Sequence, residues 1–248
     1  MQTMSLLIAS SLIIIPILIS HKEQLGLGKE IGISMIRAIV QLTLIGYILE
    51  IIFGFENNIF TVLIVLIMIF NASLNTKKRG EGIKNVVGIS FISILIGSST
   101  TLIVLVAAKA VNFTPNEIIP IAGMIVSNSM VAISLTYKNL NSSFKNRKSE
   151  VEVKLSLGAD IGQASKDIIR ESVKTSIIPS IDSAKTLGIV SLPGMMTGLI
   201  LGGASPMIAI KFQIMVTFMI LSSVSISTII STYISYKHFF NERKQLNI

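Results

Sequence analysis

Apolar and polar positions fall into long blocks along this chain. Apolar runs occupy residues 4–20, 31–53, 59–74, 86–108, 118–137, 187–203 and 212–236. Each approaches or exceeds the roughly 20 residues a helix needs to cross a bilayer. The pattern predicts an all-α polytopic membrane protein with seven transmembrane helices. The polar blocks between them are short, except for residues 138–186. Within that stretch Leu157, Ile161, Ala164, Ile168, Val173 and Ile177 recur near helical spacing, so one face can bury. Asp160 and Gln163 have capping-box spacing after Gly158 and Ala159. Two helices are expected, near 150–157 and 161–178, with Pro179 ending or kinking the second. Two uses fit: an amphipathic helix lying on anionic lipid, or a docking element for a cytoplasmic partner. The stretch mixes nine Lys/Arg with six Asp/Glu. That mixture favours a protein partner, because lipid-binding faces are more uniformly basic.

Other helix starts carry signals too. Thr114, Pro115 and Glu117 offer an N-cap, a first-turn proline and a capping-box carboxylate. Ser205 and Pro206 repeat the first two ahead of the last run. The first run has no preceding basic residue and no small-x-small cleavage site, so it reads as a retained helix.

Composition narrows the class. The chain has 248 residues, 51% of them hydrophobic, and a mean hydropathy of +0.75. Only 14% are charged, against about 25% in soluble domains. A soluble enzyme on a small anchor is excluded, and one transmembrane domain over 1–248 is expected, with 138–186 as its cytoplasmic segment. The net charge of +8 is not a nucleic-acid signal here. Seven crossings put 21–30, 75–85, 138–186 and 237–248 on one side, where nearly all Lys and Arg lie. The other side has only Lys109 and Lys211. The positive-inside rule then places the N-terminus outside and the C-terminus in the cytoplasm.

The sixth run is the most unusual. Gly194, Gly198 and Gly202 recur every four residues and predict a bare stripe for close helix packing. Pro193, Gly203 and Pro206 crowd its ends, which also fits a broken helix beside a transport path. Polar residues inside other runs are Arg37 and Gln41 in the second, Asn71 in the third, Asn128 in the fifth and Gln213 in the seventh. Arg37 lies near enough to the cytoplasmic end to snorkel; its alternative is to face a cavity or partner. Met124, Met130, Met195 and Met196 offer thioether sulfur or simply fill gaps.

Catalytic chemistry has little to build on. There is no cysteine, and only His21 and His238 represent histidine. No phosphate loop G-x-x-x-x-G-K-[ST], no G-x-S-x-G and no H-E-x-x-H occurs. No clear titratable residue lies mid-span for ion-coupled transport. The chain is expected to be no enzyme and to draw its energy from another chain.

The run IPSIDSAKTLGIVSLPGMMTG at 178–198, continued by LGGASP at 201–206 and KFQ at 211–213, resembles the signature of the FetB-like permeases. These are membrane subunits of a bacterial ABC exporter implicated in iron export, related to plant aluminium-tolerance permeases. Arg37 with Val40, Gln41 and Leu42, Gly123 with Met124, Asn128 with Ser129 and Met130, and Glu152 with Leu157, Gly158 and Ala159 extend the resemblance over nearly the whole chain. It implies a multi-pass cell-membrane permease that pairs with itself and with a separate cytoplasmic ATPase. ATP is used by that partner, and no cofactor is expected in this chain. Glu152 and Gly158 match the E-x5-G part of the loop by which ABC permeases dock on their ATPases; the later proline of that loop is not at its usual spacing. Glu152, Leu157 and Gly158 are therefore the expected coupling residues. Asn128, Met195, Met196, Thr197, Arg37 and Gln41 are the expected path residues, and Gly194, Gly198 and Gly202 the packing stripe. The metal ligands stay unassigned. An ion-coupled secondary carrier and a non-transporting scaffold are the rival readings.

Overall fold

The structure is a computed structural model that describes residues 3–53 and 58–247. It contains α-helices and short 3-10 turns, with no strand among the described residues. The helices are α1 (Thr3–Ser10), α2 (Ile14–Lys22), α3 (Gly28–Phe53), α4 (Asn58–Thr76), α5 (Val86–Ala107), α6 (Pro115–Asn146), α7 (Lys148–Ser156), α8 (Ile161–Thr186), α9 (Gly194–Leu201) and α10 (Pro206–Ser235). Five are long and apolar enough to cross a membrane: α3, α4, α5, α6 and α10. Large apolar side chains such as Leu42, Ile103 and Phe218 stand exposed along them. Such surface is a liability in water and what a lipid-facing helix requires.

The chain divides into two units, Met1–Glu56 and Asn57–Ile248. In the first, α1 and α2 are joined by the 3-10 turn Ser11–Ile13, so the first predicted run is a jointed helix. The Ser20 hydroxyl accepts from the Leu27 amide at 3.0 Å and ties the turn into α3. No described side chain of α3 is buried.

In the second unit, named contacts fix the helix directions. Ser129 and Ser223 share a hydrogen bond of 2.9 Å, and Phe144 stacks on Phe239 at 4.3 Å. Hence α6 and α10 run parallel. Thr136 donates to Ser176 at 3.0 Å while Arg147 reaches back to Glu171, so α8 runs antiparallel to both. Thr76 bonds Ser90, which bonds Tyr137. Gly97 lies against the backbone of Ser223 on α10; a Cβ there would sit 3.0 Å from its carbonyl oxygen. Small and hydroxylated residues thus hold α5, α6 and α10 at close range, as membrane helix interfaces favour.

The main core lies at the end of the bundle where α6 finishes. Tyr137, Leu140 and Phe144 meet Ile83, Val86, Val151, Ile168, Ile169 and Phe239 there, all buried. The basic α4–α5 turn, α7 and the C-terminal tail share this end: Asn141 on α6 donates to the Glu81 carbonyl at 2.9 Å, and Leu246 packs on the same cluster.

Three expectations are corrected. The sixth run is not a crossing helix. Leu187 to Pro193 leaves helical geometry, and α9 covers only eight residues, about 12 Å against the roughly 30 Å of hydrocarbon. Gly188, at φ +82°, turns the chain so that its amide meets the Ser191 carbonyl at 2.9 Å. Second, α8 does not stop at Pro179 but continues through it to Thr186. Third, Thr114 makes no side-chain cap; Glu117 instead accepts from the Asn112 amide and side chain at 2.8 and 2.9 Å. The Asp160–Gln163 capping box forms as expected, with Asp160 accepting at 2.7 Å. Ser205 also caps α10.

Candidate functional site

The break between α8 and α9 opens a cavity of about 350 Å³ against α6 and α10. A proline-containing helix ends there, a glycine turn follows, and Pro193 precedes the restart. The unwound stretch leaves backbone groups without intrahelical partners, and such backbone is tolerated at membrane depth only beside protein or a water-filled cavity. Its lining is uncharged and mostly apolar, with a few polar groups set into it. Asn128 of α6, Ser176, Ser180 and Ser183 of α8, and Gln213 and Thr217 of α10 supply amides and hydroxyls. The Asn128 amide nitrogen donates to the Met124 carbonyl at 2.8 Å, which leaves its oxygen for other partners. The Gln213 Oε1 is buried and has no hydrogen-bond partner. An unsatisfied buried acceptor is costly, so a donor or cation there is stabilising.

The expected path residues divide. Asn128 and Met195 line the cavity; Met196 and Thr197 do not. Thr197 folds its hydroxyl back onto the Pro193 carbonyl at 3.1 Å. Arg37 and Gln41 belong to the first unit, where both are exposed on α3. Gln213 carries the strongest polar signal, and its position inside a span was the clue to it. Ser176, Ser180 and Ser183 gave no such clue, because their run reads as cytoplasmic. On α9, a Cβ at Gly194 or Gly198 would meet no atom within 4 Å. A helix that would use the stripe is not among the described residues.

The second site is the elbow between α7 and α8. Gly158, at φ +92°, ends α7; the Ala159 amide reaches the Lys154 carbonyl and the Gly158 amide that of Leu155, each at 3.0 Å. This Schellman turn needs a residue at positive φ, where glycine is unstrained. Leu157 is left 83% exposed at the tip. Glu152 is exposed and 3.8 Å from Lys148. Beneath the elbow, Arg147 pairs with Glu150 at 2.7 Å and with Glu171 at 3.3 Å, and Lys154 bridges Glu150 at 2.8 Å and Asp167 at 2.9 Å. Hydrogen bonds from Arg147 and then Lys154 hold the Glu150 carboxyl down to about 2. This network straps α7 to α8, while Val151 plugs the core below. The family resemblance marked Glu152 but not Glu150, whose role depends on two basic residues and a second helix.

Residues 3–240 match the model of the uncharacterised protein family UPF0014. The chain belongs to this family. Its UPF0014 relatives include the probable iron export permease protein FetB of Escherichia coli K12, 49% identical over 98% of this chain and 93% of the relative. Another is the protein ALUMINUM SENSITIVE 3 of Arabidopsis thaliana, 37% identical over 94% and 86%. A third, the membrane protein YjkA of Bacillus subtilis 168, is 37% identical over 99% and 98%. No solved structure matches. The UPF0014 chain is thus a multi-pass membrane permease. No group of three or more His, Cys, Asp or Glu side chains able to hold a metal comes together among its described residues.

Proposed function

We propose that this chain is the membrane subunit of an ABC exporter that moves a metal-containing species out of the cytoplasm. Two copies pair with two separate ATPase subunits, and ATP is spent by those partners. The chain crosses seven times, N-terminus outside; the second half of α8 and α9 together make the sixth crossing, broken at its middle. The observation that carries this reading is α8 itself. One end forms a strapped elbow with an exposed apolar tip, and the other ends at an uncharged cavity that carries a few polar groups. A single rod joining a docking surface to a broken crossing suits rigid-body transmission between two states. Elbow residues Glu152, Leu157 and Gly158 meet the ATPase. Asn128, Met195 and Gln213 line the path. The metal cargo follows the printed name of the Escherichia coli relative.

The test is a mild-detergent purification of the tagged protein from its own membranes, with co-purifying proteins identified by mass spectrometry. A stoichiometric ATPase is expected, lost in Glu152→Lys while membrane insertion persists. Intact permease that never carries an ATPase would favour a carrier driven by an ion gradient.

A further inference from the structure

A second pocket, about 310 Å³, lies beside the first and is lined by Asn75, Arg79, Ser134 and Lys138 together with Val131 and Leu135. The last two also line the α8–α9 cavity. On α6, Met124, Asn128, Val131, Leu135 and Lys138 are spaced by four, three, four and three, so they form one continuous stripe. The stripe leads from two cations at the α4–α5 turn end of the bundle to the neutral amides and hydroxyls of the break.

What these two cations share is the pocket they line. At this end Arg147, Lys148 and Lys154 have acidic partners, while Lys77, Lys78, Lys84 and Lys145 form no ion pair among the described residues. Arg79 and Lys138 also have none among the described residues; they come from separate elements and face one pocket. A bare metal cation approaching along this stripe meets two like charges at the mouth. Further in, it finds no carboxylate, imidazole or thiolate, only neutral donors. Hard cations are held by anionic and water oxygens, which this route does not supply. The inner cavity also has room for a small molecule; sites for such ligands begin near about 300 Å³.

We infer that the metal crosses as an anion, wrapped in carboxylate or phosphate oxygens that it brings with it, with Arg79 and Lys138 selecting the negative charge. This rests on the exporter reading and specifies its cargo. In that complex the chelator supplies the charged ligands, and Asn128 and Gln213 address its outer surface. A free carboxylate chelate and an anionic lipid headgroup share this chemistry, so the test must separate them.

The full chain is placed in nanodiscs of phosphatidylcholine, and retention of radioactive iron is measured with three probes. They are ferric citrate with excess citrate, ferrous ion under reducing conditions, and a cationic ferric hydroxamate. Ferric citrate is expected to bind and the other two not. Arg79→Gln with Lys138→Gln should weaken it at least about tenfold, and Arg79→Lys with Lys138→Arg should restore it; both positions are exposed, so the fold is kept. Retention of ferrous ion in place of ferric citrate, or equal retention by the Gln variant, overturns the inference. So does displacement of ferric citrate by added phosphatidylglycerol, which would assign the two cations to lipid. The exporter reading fails separately, if no form of iron moves with ATP and the ATPase present. If iron moves equally well through the Gln variant, the exporter stands and the anionic cargo falls.

Discussion

The two ends of α8 solve opposite problems with the same helix. At its start, a capping box, a glycine-ended α7 and an apolar core shared by α4 to α8 fix the backbone, and charges clamp the surface. At its finish the Lys185–Asp182 pair stays within one turn and joins α8 to no other helix; a proline sits within the last turns, the chain unwinds at Gly188, and an uncharged space with a few polar groups is left. In the proposed exporter one end is pushed and the other yields. Low local packing is where a moving part belongs, and a rigid lever is needed to reach it.

The largest expected effect removes the footing of the rigid end. Phe144 is fully buried between Phe239 and Phe240. Phe144→Ala should cost about 3–5 kcal/mol, read as a lower unfolding midpoint in detergent, with α7 losing its hydrogen-exchange protection. An elbow that stays protected would mean the core below it is not what holds it.

Next is Leu157→Asp. The side chain touches little within the chain, so stability should hold, while ATPase capture falls at least tenfold, about 1.4 kcal/mol. Unchanged capture would take Leu157 off the docking surface. At the yielding end, Met195→Leu should alter metal efflux several-fold, because Met195 lines the cavity, and Met196→Leu should not. Equal efflux in both would remove the thioether from the path.

The smallest effect is electrostatic. Glu150 is held at about 2 against its ordinary 4.5, and Lys154 likewise lowers Asp167. A depressed carboxylate stabilises the folded elbow fully above the unfolded value and loses that contribution as pH falls toward the folded one. Elbow protection should therefore be flat from pH 8 to 5 and decline between about 4.5 and 2. Glu150→Gln should lower the plateau by under about 1 kcal/mol, since these pairs are exposed, and should blunt the decline. A variant with the same pH profile as the parent would mean that other carboxylates set it.

Much of this contrast was legible in the residues. Apolar runs located α3, α4, α5, α6 and α10, because a helix that must satisfy its own backbone in lipid reads as an uninterrupted apolar block. Asp160 and Gln163 marked the start of α8 through local capping. The break was half legible: proline and glycine flagged 187–203, but length in apolar residues suggested a crossing helix. What made it otherwise is the continuation of α8 past Pro179 to Thr186, which spacing does not carry. Gln213 was visible as a polar residue in a span, but its unsatisfied oxygen was not. Thr114 lost its cap to a longer-range partnership, in which Glu117 turned to Asn112.

The central claim is that a separate ATPase, acting at the elbow, opens the break. The direct measurement is ATP-driven metal movement in liposomes holding the permease and its co-purified ATPase, with a reporter at the break. Because the chain has no native cysteine, a single Ile189→Cys places a probe there uniquely. The account predicts that ATP changes the probe's accessibility and drives metal across, and that Glu152→Lys abolishes both while the permease stays folded. Metal movement that follows an ion gradient without the ATPase, or ATP-driven movement unchanged by Glu152→Lys, would contradict it.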